Sequence, residues 1–201
     1  MKYLVPILIA IIIILVAALS FGIGKFGFSL KKPETTSPQT SLNSPTLTPT
    51  TPAKNTKKVT GGGILSFPKY ELSVPDDWQD TRESSGADDE KIILTKGAYQ
   101  ISITQGGFGG AVCLYPGDAD TEGPSARYDA FKEITIQSSD LFRRSWTGEE
   151  LSSSGFGICH KTQYGWGAPT LYGHIAYITP AGKTKTMLDE MDSILSSLKK
   201  I

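Results

Sequence analysis

Residues 92–104 read Ile-Ile-Leu-Thr-Lys-Gly-Ala-Tyr-Gln-Ile-Ser-Ile-Thr. Two apolar, β-branched runs flank Lys96-Gly97, and a two-residue connection ending in glycine suits a tight hairpin turn. This hairpin sets the expectation for its neighbours. Upstream, residues 64–74 read as two short extended pieces interrupted at Pro68, with Tyr70, Leu72 and Val74 alternating inward. Pro75-Asp-Asp-Trp78 then makes a turn. Downstream, strands are predicted over 131–137 and 141–146, joined by Ser138-Ser139-Asp140. Two more follow over 157–163 and 171–179, the last alternating through Leu171, Gly173, Ile175 and Tyr177.

One helix stands out. Thr186 and Asp189 form a capping-box-like pair, after which Met187, Leu188, Met191, Ile194, Leu195 and Leu198 make one apolar stripe at helical spacing. Such a stripe packs on a sheet face, with both methionines filling core. The expected fold class is therefore α+β, a mostly antiparallel sheet packed by a C-terminal helix. Its body, residues 63–201, is long enough to bury about two-thirds of its unfolded surface without a metal or cofactor.

Tyr70-Glu-Leu-Ser-Val-Pro-Asp-Asp-Trp78 is similar to the aromatic, alternating, Pro-x-x-Trp opening of PsbP-like and Mog1-like domains. Leu188-Asp-Glu-Met-Asp-Ser-Ile-Leu-Ser-Ser-Leu198 resembles their closing helix. The resemblance implies an antiparallel sheet sandwiched by helices and a role in binding or assembly, with no catalytic residues. The Gly-rich loop at 105–110 and the cysteines form no part of it.

Ahead of the body, residues 3–24 are 22 uncharged positions between Lys2 and Lys25. A helix of that length spans roughly 30 Å, the thickness of a hydrocarbon core. Residues 1–28 are read as a single-pass anchor in the lipid bilayer. The rival reading, a signal peptide cleaved near Ala18-Leu19-Ser20, fits less well because the apolar run continues through Phe21 and Ile23. Residues 29–62 are read as a disordered linker, since 33–60 hold five Pro, nine Thr and three Ser and few apolar residues. The lysine count around the anchor favours a body inside. The short N-terminal tail and the stalk-like linker favour the extracytoplasmic side of the cell membrane, which is the localisation expected.

The zero net charge conceals an asymmetry. Residues 1–62 carry seven lysines and one acid, whereas 63–201 carry 13 basic and 19 acidic residues. An acidic body makes a poor nucleic-acid binder, because phosphate contacts need clustered Lys and Arg.

Cys113 and Cys159 are the only cysteines. In an oxidising compartment they read as one disulfide; two buried free thiols, or a metal-binding or catalytic cysteine, are the other readings. Cys159-His160 with His174 lacks ligands for zinc, and neighbours on a strand point to opposite faces. Asp118, Asp120, Glu122, Gly123 and Asp129 follow calcium-loop spacing. However, Asp129 replaces the bidentate Glu, Ser125 replaces an apolar residue, and no amphipathic helix precedes the loop. Gln105-Gly-Gly-Phe-Gly-Gly110 fails dinucleotide spacing, and no phosphate-binding loop occurs. Phe108 is left as a contact residue, and Asp76, Asp77, Asp88, Asp89 and Glu90 as solvated carboxylates. Tyr164-Gly-Trp-Gly-Ala-Pro-Thr170 either presents Tyr164 and Trp166 to a sugar or peptide or folds onto the sheet edge. The expectation is a non-enzymatic domain without cofactor or metal, with a binding or envelope-assembly role toward an unknown protein or envelope ligand. The alternative is a hydrolase with a calcium-supported loop at 118–129.

Overall fold

A computed structural model describes residues 55–201 of the chain. The anchor expected at 3–24 and most of the linker lie outside those residues. Among the described residues no helix is long and apolar enough to cross a membrane.

The hairpin forms, with its connection moved by one residue. Strand β4 (Glu90–Lys96) pairs antiparallel with β5 (Tyr99–Gln105), and the turn residues are Gly97 and Ala98 rather than Lys96 and Gly97. The shift sets Ile92 opposite Ile103 and Leu94 opposite Ile101, all four buried. Gly97, now the first turn residue, supplies the left-handed φ of +58° that the turn requires.

Around it stand eleven further strands. They are β1 (Thr56–Gly62), β2 (Lys69–Pro75), β3 (Gln79–Glu83), β6 (Ala111–Leu114), β7 (Ser125–Arg127) and β8 (Ala130–Thr135). β9 (Leu141–Trp146), β10 (Gly155–Thr162), β11 (Gly165–Ala168), β12 (His174–Ile178) and β13 (Lys199–Lys200) complete them. A three-stranded sheet has the order β1-β2-β13. The larger one runs β3-β4-β5-β12-β10-β11-β6-β7, with β9 on β10 and β8 on β9. β10 is the branch point: Gly157 pairs with both Ala176 of β12 and Ser145 of β9, so these strands flank opposite edges.

The α+β expectation is corrected by this architecture. The described chain is mostly β-sheet, with one helix, α1 (Lys185–Ser196), against thirteen strands. The helical layers implied by the PsbP-like resemblance are absent from the described residues. The strands that tip the balance have little apolar alternation. β3 is exposed along its whole length and holds to β4 by backbone pairing and the Arg82–Glu90 and Glu83–Lys91 ion pairs, a charged edge strand that resists further pairing.

The linker boundary at 62 is corrected as well. Thr56–Gly62 pairs with β2 from Thr56 opposite Pro75 to Gly62 opposite Lys69, and Val59 joins the core. A side chain at Gly61 would meet the Ile92 Cγ1 and Tyr70 Oη at 2.9 Å, so glycine lets the small sheet close on the large one.

The cap of α1 lies two residues before the predicted Thr186. Thr184 is the N-cap, its hydroxyl accepting the Met187 N–H at 3.3 Å. Leu188, Met191, Ile194 and Leu195 are buried in the main core with Leu198. After the helix, the Ser197 Oγ accepts the Ser73 N–H at 2.8 Å, and β13 pairs with β2. The helix is tied to the large sheet by a buried ion pair: the Arg144 Nε donates to Asp192 Oδ1 at 2.8 Å, and its Nη2 to Glu150 Oε1 at 2.6 Å.

Candidate functional site

The site grows from the alternation along β9. Phe142, Arg144 and Trp146 enter the main core, so Arg143 and Ser145 point the other way. Register carries this outer face across the sheet. Arg143 lies opposite Cys159 of β10 and Glu133 of β8, and Ser145 opposite Gly157 and Phe131. Next along, Lys161 of β10 lies opposite Trp166 of β11.

A second, smaller hydrophobic cluster covers this face. Cys113 and Cys159 form a disulfide with S–S 2.11 Å and Cα–Cα 6.4 Å, and Tyr115, Tyr128, Trp166 and Ala168 pack around it. Glycine at 157 makes room for Tyr128, whose hydroxyl occupies the place a Cβ would take. Burial pushes the Tyr115 and Tyr128 phenols above their ordinary value. At Tyr115 the bond with Ser145 and the charge of Arg143 oppose that rise. The Tyr115 and Ser145 hydroxyls are 2.8 Å apart.

Arg143 is held by rings. Its Cζ lies 3.5 Å from the Phe131 centroid, 3.8 Å from that of Trp166 and 4.9 Å from that of Tyr115. The Nη2 and Nε both donate to Glu133 Oε1, at 3.0 and 3.2 Å. Stacking and the ion pair together fix a guanidinium whose free motion would otherwise be large.

Beside it opens a cleft of about 460 Å³, lined by Tyr115, Asp118, Phe131, Arg143, Lys161 and Trp166 among others. A neighbouring depression of about 360 Å³ lies by His160, Glu122 and Pro124. Val112, Tyr164 and Trp166 line both, so the β10–β11 hairpin tip divides one groove into two lobes. Tyr164, at 90% exposure, stands free on that tip. Each lobe is within the size of small-molecule sites, roughly 300–1,000 Å³.

The residues singled out in the sequence fare unequally. The cysteines pair, and neither is a free thiol. The acids of 118–129 turn to four separate partners or surfaces. Asp118 Oδ2 accepts the Tyr115 N–H at 2.8 Å, Asp120 pairs with Arg127, Asp129 Oδ2 accepts the Gly148 N–H at 2.7 Å, and Glu122 lines the smaller lobe. Among the described residues no group of three or more His, Cys, Asp or Glu is placed to hold a metal. His160 Nδ1 lies 3.0 Å from the Gly167 carbonyl, while His174 stacks on Phe108 at 4.4 Å. Phe108 thus folds back onto its neighbours instead of forming a free contact loop.

Glu90 is corrected from a solvated loop carboxylate to a buried strand residue. Its Oε2 accepts the Gly62 N–H at 2.5 Å and its Oε1 meets the Arg82 Nη1 at 2.9 Å. Asp89 closes the preceding loop by accepting the Ser85 N–H, which draws its pKa down. The hairpin at Tyr164 and Trp166 combines both earlier readings, with Trp166 half-buried on the sheet and Tyr164 projecting. Arg143, Phe131 and Tyr115 escaped notice, although two successive arginines in one strand must face opposite ways.

No family model matches this chain, and neither the curated proteins nor the solved structures provide a match.

Proposed function

We propose that the chain is a non-enzymatic binding module, held at the cell membrane by residues 3–24 and facing the extracytoplasmic side, with the two-lobed groove as its ligand site. The carrying observation is the guanidinium of Arg143, fixed among Phe131, Trp166 and Tyr115 in a cleft that the exposed Tyr164 also lines. A rigid, ring-lined depression with a few placed polar groups supports ligand capture. Acid–base work is less well served. The one carboxylate lining the larger lobe, Asp118, is committed to a backbone N–H, and the cysteine beside it is oxidised. The disulfide also suits an oxidising compartment, and the likeness of residues 70–78 and the closing helix to PsbP-like and Mog1-like domains points to binding.

The test uses the full chain in detergent micelles, sedimented with purified cell-envelope fragments. Wild type is expected to sediment with them and Tyr164→Ala to stay in solution, since an exposed tyrosine can be removed without unfolding the domain. Equal sedimentation of both proteins would dismiss the groove. Loss of the domain to protease added to intact cells checks the orientation.

A further inference from the structure

We infer that the groove takes an acidic sugar unit, a pyranose ring carrying a carboxylate or phosphate; this rests on the binding reading above. The charge of the larger lobe sets it apart from the body. Two cations, Arg143 and Lys161, line it against the single carboxylate of Asp118, whereas residues 63–201 as a whole carry six more acids than bases.

Lys161 is the telling residue. Lys57, Lys58, Lys91, Lys132, Lys185 and Lys199 each meet a carboxylate. Among the described residues Lys161 meets none, and neither do Lys69, Lys183 and Lys200; of these four Lys161 alone lines the cleft, its Nζ 5.3 Å from the Trp166 ring centre. An ammonium left without a counter-charge in an acidic domain is available to an anion, and low-dielectric walls strengthen that attraction. Arg143 adds a second, fixed cation whose charge Glu133 partly offsets. Its Nε and Nη2 are spent on Glu133, which keeps the guanidinium plane in one place and pre-organised.

The other half of the recognition is flat and apolar. Tyr164 offers an almost wholly exposed ring at the boundary of the two lobes, and Ala111, Val112 and Pro124 continue an apolar floor into the smaller one. The C–H face of a pyranose lies on an aromatic ring, while hydroxyls reach the rim. His160 and Glu122 of the smaller lobe serve such hydroxyls. An extended acidic peptide fits less well. β6 covers Gly167 and Ala168 of β11, so only Gly165 and Trp166 of that edge remain open, too little for strand addition.

Calorimetric titration of the full chain in detergent micelles provides the test. The probes are a galacturonate tetramer, its neutral methyl ester, a phosphodiester-linked glycan and a polyglutamate peptide. The acid tetramer or the phosphate glycan is expected to bind, whichever does so naming the anionic group. Affinity should fall by on the order of tenfold for Lys161→Gln, and by at least as much for Tyr164→Ala. It should fall similarly for the methyl ester and weaken with salt. Equal binding of ester and acid would overturn the anionic half while leaving the groove as the site. Binding of polyglutamate in preference to both sugars would overturn the sugar. If no acidic glycan binds while Tyr164→Ala still abolishes envelope sedimentation, only this inference falls. If that variant sediments normally, the groove falls with it.

Discussion

Arg143 and Arg144 are adjacent on β9, and the two sides of the sheet they enter are built on different physics. Arg144 is fully buried beneath α1, matched by Asp192 and Glu150, in a core of interlocking aliphatic and aromatic side chains. Arg143 lies on a thin outer cluster pinned by a disulfide, stacked on rings and bordering solvent. The inner face spends its charge on joining helix to sheet. The outer face pairs Arg143 with Glu133 and leaves the Lys161 ammonium at a cleft. One side is organised for stability and the other for contact.

Arg144→Ala should give the largest effect. Removing one partner of a buried pair leaves Asp192 uncompensated, at a cost of roughly 3–5 kcal/mol. Lys132, whose Nζ lies 2.9 Å from Asp192 Oδ2, offsets part of that charge from the half-exposed rim. Denaturant unfolding measures the loss. The double variant Arg144→Met with Asp192→Leu should recover most of it, since apolar replacement of a whole buried pair is often neutral or stabilising. Failure of the double variant to recover would mean that the ion pair fixes the helix position as well as satisfying its own charges.

Next in size is the bridge. Cys113→Ser with Cys159→Ser opens a loop spanning 46 residues, worth roughly 2–4 kcal/mol. The damage should be lopsided. Hydrogen exchange is expected to rise in β6, β7 and the hairpin tip while β4, β5 and α1 keep their protection. Uniform loosening would erase the distinction drawn between the two faces.

Alkaline titration sharpens the same contrast. Burial raises the Tyr177 phenol far above its ordinary value near 10, and raises Tyr115 and Tyr128 by less. A phenol with a raised folded pKa holds its proton longer folded than unfolded. Its stabilising contribution is therefore complete below about pH 10 and is lost as pH climbs through the folded values. Tyrosinate absorbance should show the outer-face phenols ionising first, with Tyr177 released only on global unfolding.

Parts of this plan were legible in the chain. Residues 92–104 declare a hairpin because their apolar positions alternate on both arms, and the stripe from Leu188 to Leu198 declares α1. The α+β expectation failed where alternation does. Gln79–Glu83 is a strand of five exposed residues, Gly165–Ala168 is half glycine, and Thr56–Gly62 has one large apolar residue, Val59. Such strands are made by the backbone of their neighbours, which no local pattern announces. The cysteine pair was visible and its partner geometry was not. The outer cleft was half visible: Tyr164 and Trp166 drew attention by composition. Arg143 and Phe131 meet through the register of β8 with β9, and Tyr115, just past the end of β6, reaches them only by packing.

The smallest stability effect should come from Arg143→Ala. A cation–π contact at a site near solvent is worth about 0.5–1 kcal/mol, and the exposed pair with Glu133 adds little. The variant should therefore unfold within about 1 kcal/mol of wild type. Ligand affinity in the groove should nevertheless drop by on the order of tenfold, because the guanidinium both supplies charge and props Trp166 against the cleft wall. The conservative Arg143→Lys separates these duties. It restores the charge without the planar stack, so recovered affinity assigns the role to electrostatics, and unrecovered affinity assigns it to the ring geometry. A large stability loss for Arg143→Ala, comparable to that of Arg144→Ala, would show that both arginines serve the fold alike.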